Sequence, residues 1–122
     1  MSKKNETLVI GASLKPNRYS NIAIKRLRDN NQPTRAIGLR AGEVEDVTIE
    51  TSLRDFKNID TVTLYLNPKR QVDYYDYIIG LQPRRVIFNP GTDNPDFYKM
   101  LRNNSIEVEV ACTLVLLSTN QY

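Results

Sequence analysis

Thr7-Leu-Val-Ile-Gly11-Ala-Ser-Leu-Lys15-Pro-Asn-Arg18-Tyr-Ser20 decides how the rest of this chain is read. A short apolar run stops at one glycine, a polar loop follows, and a helical pattern begins at Ser20. Ser20 is the expected N-cap. Ile22, Ala23 and Leu27 share an inner face, and Lys25, Arg26 and Arg28 point outward. The layout is strand, loop and helix N-terminus, where free amides and the helix dipole favour an anion. Gly11 permits a sharp turn and close backbone approach. Ser13 and Ser20 offer hydroxyls, Lys15 offers charge, and Arg18 offers a two-pronged fork. With Ala12 and Pro16 in the same turn, the segment from Gly11 to Ser20 is a candidate phosphate site. Read alone, it fits a polar loop with ordinary surface cations equally well.

Outward from this segment, apolar runs alternate with helical patterns. Strands are expected at Thr7–Ile10, Thr34–Leu39, Thr61–Leu66, Arg85–Phe88 and Glu107–Ala111, with Val47–Thr51 as a short extra strand at an edge. Helices are expected at Ser20–Asn31, from Asn67-Pro68 to Gly80, and at Asp96–Asn104 after Asn94-Pro95. Val72, Tyr75, Ile78 and Ile79 are the expected core side of the second helix. Ser52–Phe56 reads as a brief helical turn, and Cys112–Leu117 as a short helix over the sheet. Such alternation predicts one α/β domain over residues 1–122, with residues 1–6 as a frayed tail. The expected architecture has three layers: a Rossmann-like parallel sheet of about five strands, order 3-2-1-4-5, with helices on both faces. Ligands in such sheets sit at the carboxyl ends of the strands.

Composition removes several chemistries. The chain has 122 residues, 40% hydrophobic and 25% charged, with a formal charge of +3, which is weak support for nucleic-acid binding. There is no histidine, which excludes Ser-His and Cys-His nucleophilic pairs, phosphohistidine chemistry and histidine-ligated metal. The single Cys112 forms no internal disulfide, supplies no metal-ligand spacing, and reads as a buried structural thiol. No signal peptide or membrane-length apolar stretch is seen, so a cytoplasmic location is expected. No metal site and no catalytic residue is expected.

The later loops add candidates. Gly-x-Gly-x-x-Gly and the loop ending Gly-Lys-Ser/Thr are both missing, which disfavours ordinary NAD and ATP sites. After the second strand comes Arg40, where an NAD site places an acid; a cation there suits a phosphorylated ribose, as in coenzyme A or NADP. After the third strand, Leu66, Asn67 and Pro68 present backbone to a ligand, while Lys69 and Arg70 read as solvated. After the fourth, Asn89 and Gly91 are candidates, Gly91 for a positive-φ turn.

These residues together resemble the small single-domain CoA-binding proteins, related in fold to the CoA-binding domain of the succinyl-CoA synthetase α subunit. The most specific stretch is Val9-Ile-Gly-Ala-Ser-Leu-Lys-Pro-Asn-Arg-Tyr-Ser20, similar to that family's Val-Gly-Ala-Ser-x-Lys-Pro-x-Arg-x-Ser loop. Weaker matches are Gly42-Glu43, Ser52-Leu53, Ile59-Asp60, Asn89-x-Gly91 and Cys112. The resemblance implies CoA recognition, with the first loop near the phosphates and the second and third near the nucleotide. The chain departs from the family pattern at Leu39-Arg40, where Asn-Pro is common, and at Asn89-Pro-Gly91, where Gln-x-Gly is common. The synthetase reaction is not implied, because it needs a phosphorylated histidine and further domains. The expected function is non-catalytic binding of coenzyme A or an acyl-CoA as a small-molecule nucleotide ligand. The alternatives are an NADP-binding redox or sensing domain, and a ligand-free structural or interaction protein.

Overall fold

Leu8 and Ile10 alternate with Thr7 and Val9 along the first strand, and the alternation separates two cores. The computed structural model describes residues 4–122. Strand β1 is Glu6–Ala12, followed by helix α1 at Tyr19–Asp29, β2 at Thr34–Gly38, and a hairpin of β3 (Gly42–Val44) and β4 (Val47–Glu50). Strand β5 (Ile59–Leu64) leads to α2 (Pro68–Gln71), a 3₁₀ turn at Val72–Tyr74 and α3 (Tyr75–Leu81). Then come β6 (Arg85–Phe88), α4 (Pro95–Asn103), β7 (Glu107–Val110) and α5 (Thr113–Ser118). The sheet order is β3-β4-β2-β1-β5-β6-β7, parallel throughout except for the β3–β4 hairpin.

Leu8, Ile10, Val62, Leu64, Val86 and Phe88 face one way and pack with Ile78, Leu81, Phe97 and Leu101 of α3 and α4. Val9, Ala12, Ala36 and Ile49 face the other way and pack with Ile24 and Leu27 of α1 and Leu117 of α5. A period of two on each strand thus feeds helices on both faces, and the Rossmann-like α/β class holds. Each fully buried Leu, Ile or Phe contributes roughly 1.5–3 kcal/mol.

Several details differ from the expectation. The sheet has seven strands, not about five. The place outside β2 is taken by β4, while the Thr61 strand pairs directly with β1. Ser52–Phe56 forms no helical turn. Of the expected tail, residues 1–3 lie outside the described residues, while Glu6 opens β1 and Asn5 N donates to Asn58 O at 3.1 Å. Lys4 is also tied down, its Nζ donating to the carbonyls of Leu81 and Gln82 at the end of α3. The helix after Asn67 is broken by the 3₁₀ turn, so Val72 points to solvent at 56% exposure. That helix ends at Leu81 with Gln82 left-handed (φ 51), not at Gly80. Cys112 is half-buried and stands at the N-cap of α5.

Candidate functional site

Gly11 sits inside β1 with φ +93, and the register of β1 against β2 shifts between Ile10 and Ala12. A Cβ at Gly11 would lie 3.0 Å from both the carbonyl carbon and oxygen of Tyr65. Glycine is therefore needed twice, for the backbone conformation and for the close passage of the β5 loop. Beyond it the loop is held by its own groups. Ser13 Oγ accepts from Lys15 N at 3.1 Å, and Lys15 O accepts from Arg18 N at 3.1 Å. Asn21, buried in the first turn of α1, donates its Nδ2 to Ser13 O at 2.9 Å.

Helix α1 begins one residue earlier than expected, and its N-cap is Arg18, not Ser20. Arg18 has extended backbone, and its side chain makes no capping bond. The first turn holds no acidic residue. The amides of Tyr19 and Ser20 have no acceptor among the described residues. An uncapped first turn keeps its positive dipole end and its donors free for an outside anion.

This helix start forms the middle of a cleft of about 770 Å³ at the carboxyl ends of β2, β1, β5 and β6. The β1 segment contributes Gly11, Ala12, Ser13, Lys15, Pro16, Arg18 and Ser20, all named from the sequence. The β2 end contributes Arg40, and the β5 and β6 loops contribute Leu66, Asn67 and Gly91. Pro68 and Asn89 do not line it. Pro68 is the first residue of α2. Asn89 is buried, and its amide is spent on the scaffold: Nδ2 donates to Thr63 Oγ1 (2.6 Å) and Leu64 O (2.9 Å), and Oδ1 accepts from Thr113 N (2.9 Å). It ties the end of β5 to α5, with both Nδ2 donors spent and the side chain buried away from the cleft.

Sequence reasoning passed over other parts of the wall. Leu14, Tyr19 and Leu39 form an exposed apolar lip, and Tyr65, Arg70 and Tyr74 stand on the β5 side. The signal for the lip was there: three large apolar or aromatic residues in a loop region that the core does not use. Arg70 carried no such signal, because Lys69 beside it looks the same in sequence and does not line the cleft.

Charge sets the cleft apart from the rest of the surface. Its four cations are Lys15, Arg18, Arg40 and Arg70, and no Asp or Glu lines it. None of the four meets a carboxylate among the described residues. Elsewhere among the described residues six arginines, Arg26, Arg28, Arg35, Arg54, Arg84 and Arg85, meet a carboxylate, and Arg102 does not. Arg28 grips Asp46 with bonds of 2.8 and 2.9 Å, and Arg84 holds Asp60 at 3.0 Å. The Asp46 carboxyl is held below its usual range, first by its hydrogen bond to Arg28. At the back of the cleft, burial pushes the Tyr65 hydroxyl up to about 12. The hydroxyl lies buried beside those of Thr63 and Thr113, which bond each other at 2.8 Å and hold its pKa partly down against burial, but it makes no well-formed hydrogen bond of its own.

The sequence signature of the CoA-binding domain matches residues 5–118. The chain belongs to the CoA-binding domain family. A crystal structure of an uncharacterized protein is similar to this CoA-binding domain at a TM-score of 0.94 and 40% identity, over 99% of this chain and 100% of that one. A hypothetical protein from Pyrococcus horikoshii OT3 is similar at 0.83 and 27% identity, over 96% and 83% of the two chains. A Thermus thermophilus protein shares the fold at 0.85 and 23% identity, over 98% and 91%. No curated protein matches the sequence. Family membership supports a CoA-related small-molecule ligand for the domain. No described helix is long and apolar enough to cross a membrane.

Proposed function

We propose that this CoA-binding domain holds coenzyme A or an acyl-CoA in the cleft and does not transform it. The observation that carries the reading is the uncapped start of α1, flanked by Lys15 and Arg18, with unpaired Arg40 on the β2 side. Coenzyme A carries a diphosphate and a ribose 3′-phosphate. In this reading the diphosphate lies on the Tyr19 and Ser20 amides with Lys15 and Arg18 around it. Arg40 takes the 3′-phosphate, and the apolar lip of Leu14, Tyr19 and Leu39 covers the adenine. Gly11, Ala12, Ser13 and Pro16 shape the floor, and Leu66, Asn67 and Gly91 border the pantetheine arm.

Two features support binding without catalysis. The residues around the cleft include no carboxylate, histidine or thiol to act as nucleophile or general base. Tyr65, with its hydroxyl pushed up to about 12, stays protonated at neutral pH.

Calorimetric titration with coenzyme A and dephospho-CoA tests the reading. Binding of coenzyme A in the micromolar range is expected, and Arg40→Ala is expected to weaken it about tenfold or more while leaving dephospho-CoA nearly unchanged. No binding below millimolar concentration sinks the proposal and favours a ligand-free interaction protein. NADP also carries a phosphorylated ribose, so NADPH fluorescence is titrated in parallel. A response to NADPH with none to coenzyme A would favour the redox or sensing alternative.

A further inference from the structure

Arg70 and Lys69 are adjacent cations on the same short helix, yet only Arg70 lines the cleft. The segment that presents Arg70 is braced from both sides. Its own amide donates to the Asn67 cap at 3.0 Å. The next residue, Gln71, is fully buried, and its Nε2 donates to Leu66 O and Thr92 O, both at 2.8 Å. Gln71 Oε1 accepts from Asn94 Nδ2 at 2.9 Å, so the brace is itself held by the loop before α4. Leu66 and Thr92 are wall residues of the cleft, one on the β5 loop and one on the β6 loop. The backbone under Arg70 is therefore fixed to both walls, and the guanidinium meets no carboxylate among the described residues.

Strand order gives the cations a sequence in space. Arg40 stands over β2, Lys15 and Arg18 over β1, and Arg70 over β5, the next strand on. Neighbouring strands are roughly 4.8 Å apart, so Arg70 lies one strand spacing beyond the α1 start and Arg40 one spacing before it. We infer that Arg70 is a specificity-determining residue that grips the ligand's diphosphate from the pantetheine side, opposite Lys15 and Arg18. This inference rests on the CoA-binding reading and adds to it a division of labour. Arg40 reads the ribose phosphate, and Arg70 reads the phosphate that carries the pantetheine arm. A guanidinium suits that task because it offers two parallel donors to one phosphate.

The test is a set of calorimetric titrations on the full chain with coenzyme A, 4′-phosphopantetheine and adenosine 3′,5′-bisphosphate. Arg70→Gln is expected to weaken coenzyme A and 4′-phosphopantetheine roughly tenfold or more and to leave the bisphosphate nearly unchanged. Arg40→Gln is expected to do the reverse with the two fragments. Lys69→Gln removes the same charge next door and is expected to change no affinity more than about twofold. All three substitutions are at exposed positions, and circular dichroism checks the fold. Wild-type binding of coenzyme A with an unchanged Arg70→Gln variant overturns this inference alone. An equal loss in Lys69→Gln also overturns it, since the effect would then be a general field. Failure of wild type to bind any of the probes overturns it together with the reading beneath it.

Discussion

Helix α4 starts at Asn94, whose Oδ1 accepts the Phe97 amide at 3.2 Å, and helix α1 starts at Arg18, whose side chain caps nothing. Asn94 also donates to Gln71 Oε1 and to the Tyr75 hydroxyl, at 2.9 and 2.8 Å. The Phe97 and Tyr98 amides at the α4 start are both taken by Asn94, and acidic Asp96 lies in its first turn. The α1 start has two unclaimed amides, no acid, and two unpaired cations beside it. The two helices follow similar βα loops at the same end of the sheet. The first closes its hydrogen bonds for stability, and the second leaves them open, which costs stability unless an anion completes them.

The largest expected effect comes from breaking the closed end. Asn94→Ala removes a cap and orphans the buried Gln71 carbonyl, and should cost roughly 2–4 kcal/mol. Denaturant unfolding followed by circular dichroism measures it. A loss below about 0.5 kcal/mol would show that the Gln71 brace contributes little to the fold.

Closing the open end is the complementary change. Arg18→Asp supplies an N-cap side chain and a favourable charge at the dipole, and should stabilise the ligand-free protein by about 0.5–1 kcal/mol. The same change puts a carboxylate where the proposed diphosphate lies, so coenzyme A affinity should fall by about a hundredfold or more. Thermal melts with and without coenzyme A read both signs at once: a higher melting temperature without ligand and a smaller ligand-induced shift. A variant that is stabilised and still binds with wild-type affinity would remove the α1 start from the site.

The contrast also marks what could be read before the structure. Both Asn-Pro starts were legible because Asn and Pro act locally, through a side-chain cap and a fixed φ. Strands β1, β5 and β6 were legible from short apolar runs rich in β-branched residues. The place of the β3–β4 hairpin was not, because pairing partners are chosen by packing across the sheet, and Val44, Val47 and Ile49 join a core built with α1. The exposure of Val72 was hidden because the 3₁₀ turn rotates the helical phase by a fraction of a turn. In the cleft, Gly11 to Ser20 were legible as one contiguous loop. Asn89 looked equivalent to the residues around it, and only the positions of Thr63 and Thr113 reveal that its amide is already in use. Arg70 and Lys69 are separated by about 100° of helix rotation, which no composition argument resolves.

Tyr65 offers the finest comparison, because it lines the cleft while its buried hydroxyl, beside Thr63 and Thr113, makes no well-formed hydrogen bond. Tyr75, over on the closed side, has its hydroxyl engaged by Asn94. Tyr75→Phe removes an acceptor from Asn94 and should cost about 1 kcal/mol, whereas Tyr65→Phe removes a hydroxyl with no well-formed bond and should change stability at pH 7 by less than that. Their pH behaviour should separate as well. Burial raises the Tyr65 pKa above its unfolded value of 10.0, to about 12, so the folded state retains the proton longer than the unfolded chain. Its contribution to stability is therefore complete below about pH 10 and is lost as pH rises toward 12. Tyr65→Phe should flatten that alkaline decline, measured as denaturation midpoints from pH 8 to pH 11.5. Tyr77 and Tyr122 are also raised by burial and remain in the variant, so the decline should shrink without vanishing. An unchanged alkaline slope would mean that the Tyr65 hydroxyl titrates as freely folded as unfolded, and that the cleft wall is wetter than its burial indicates.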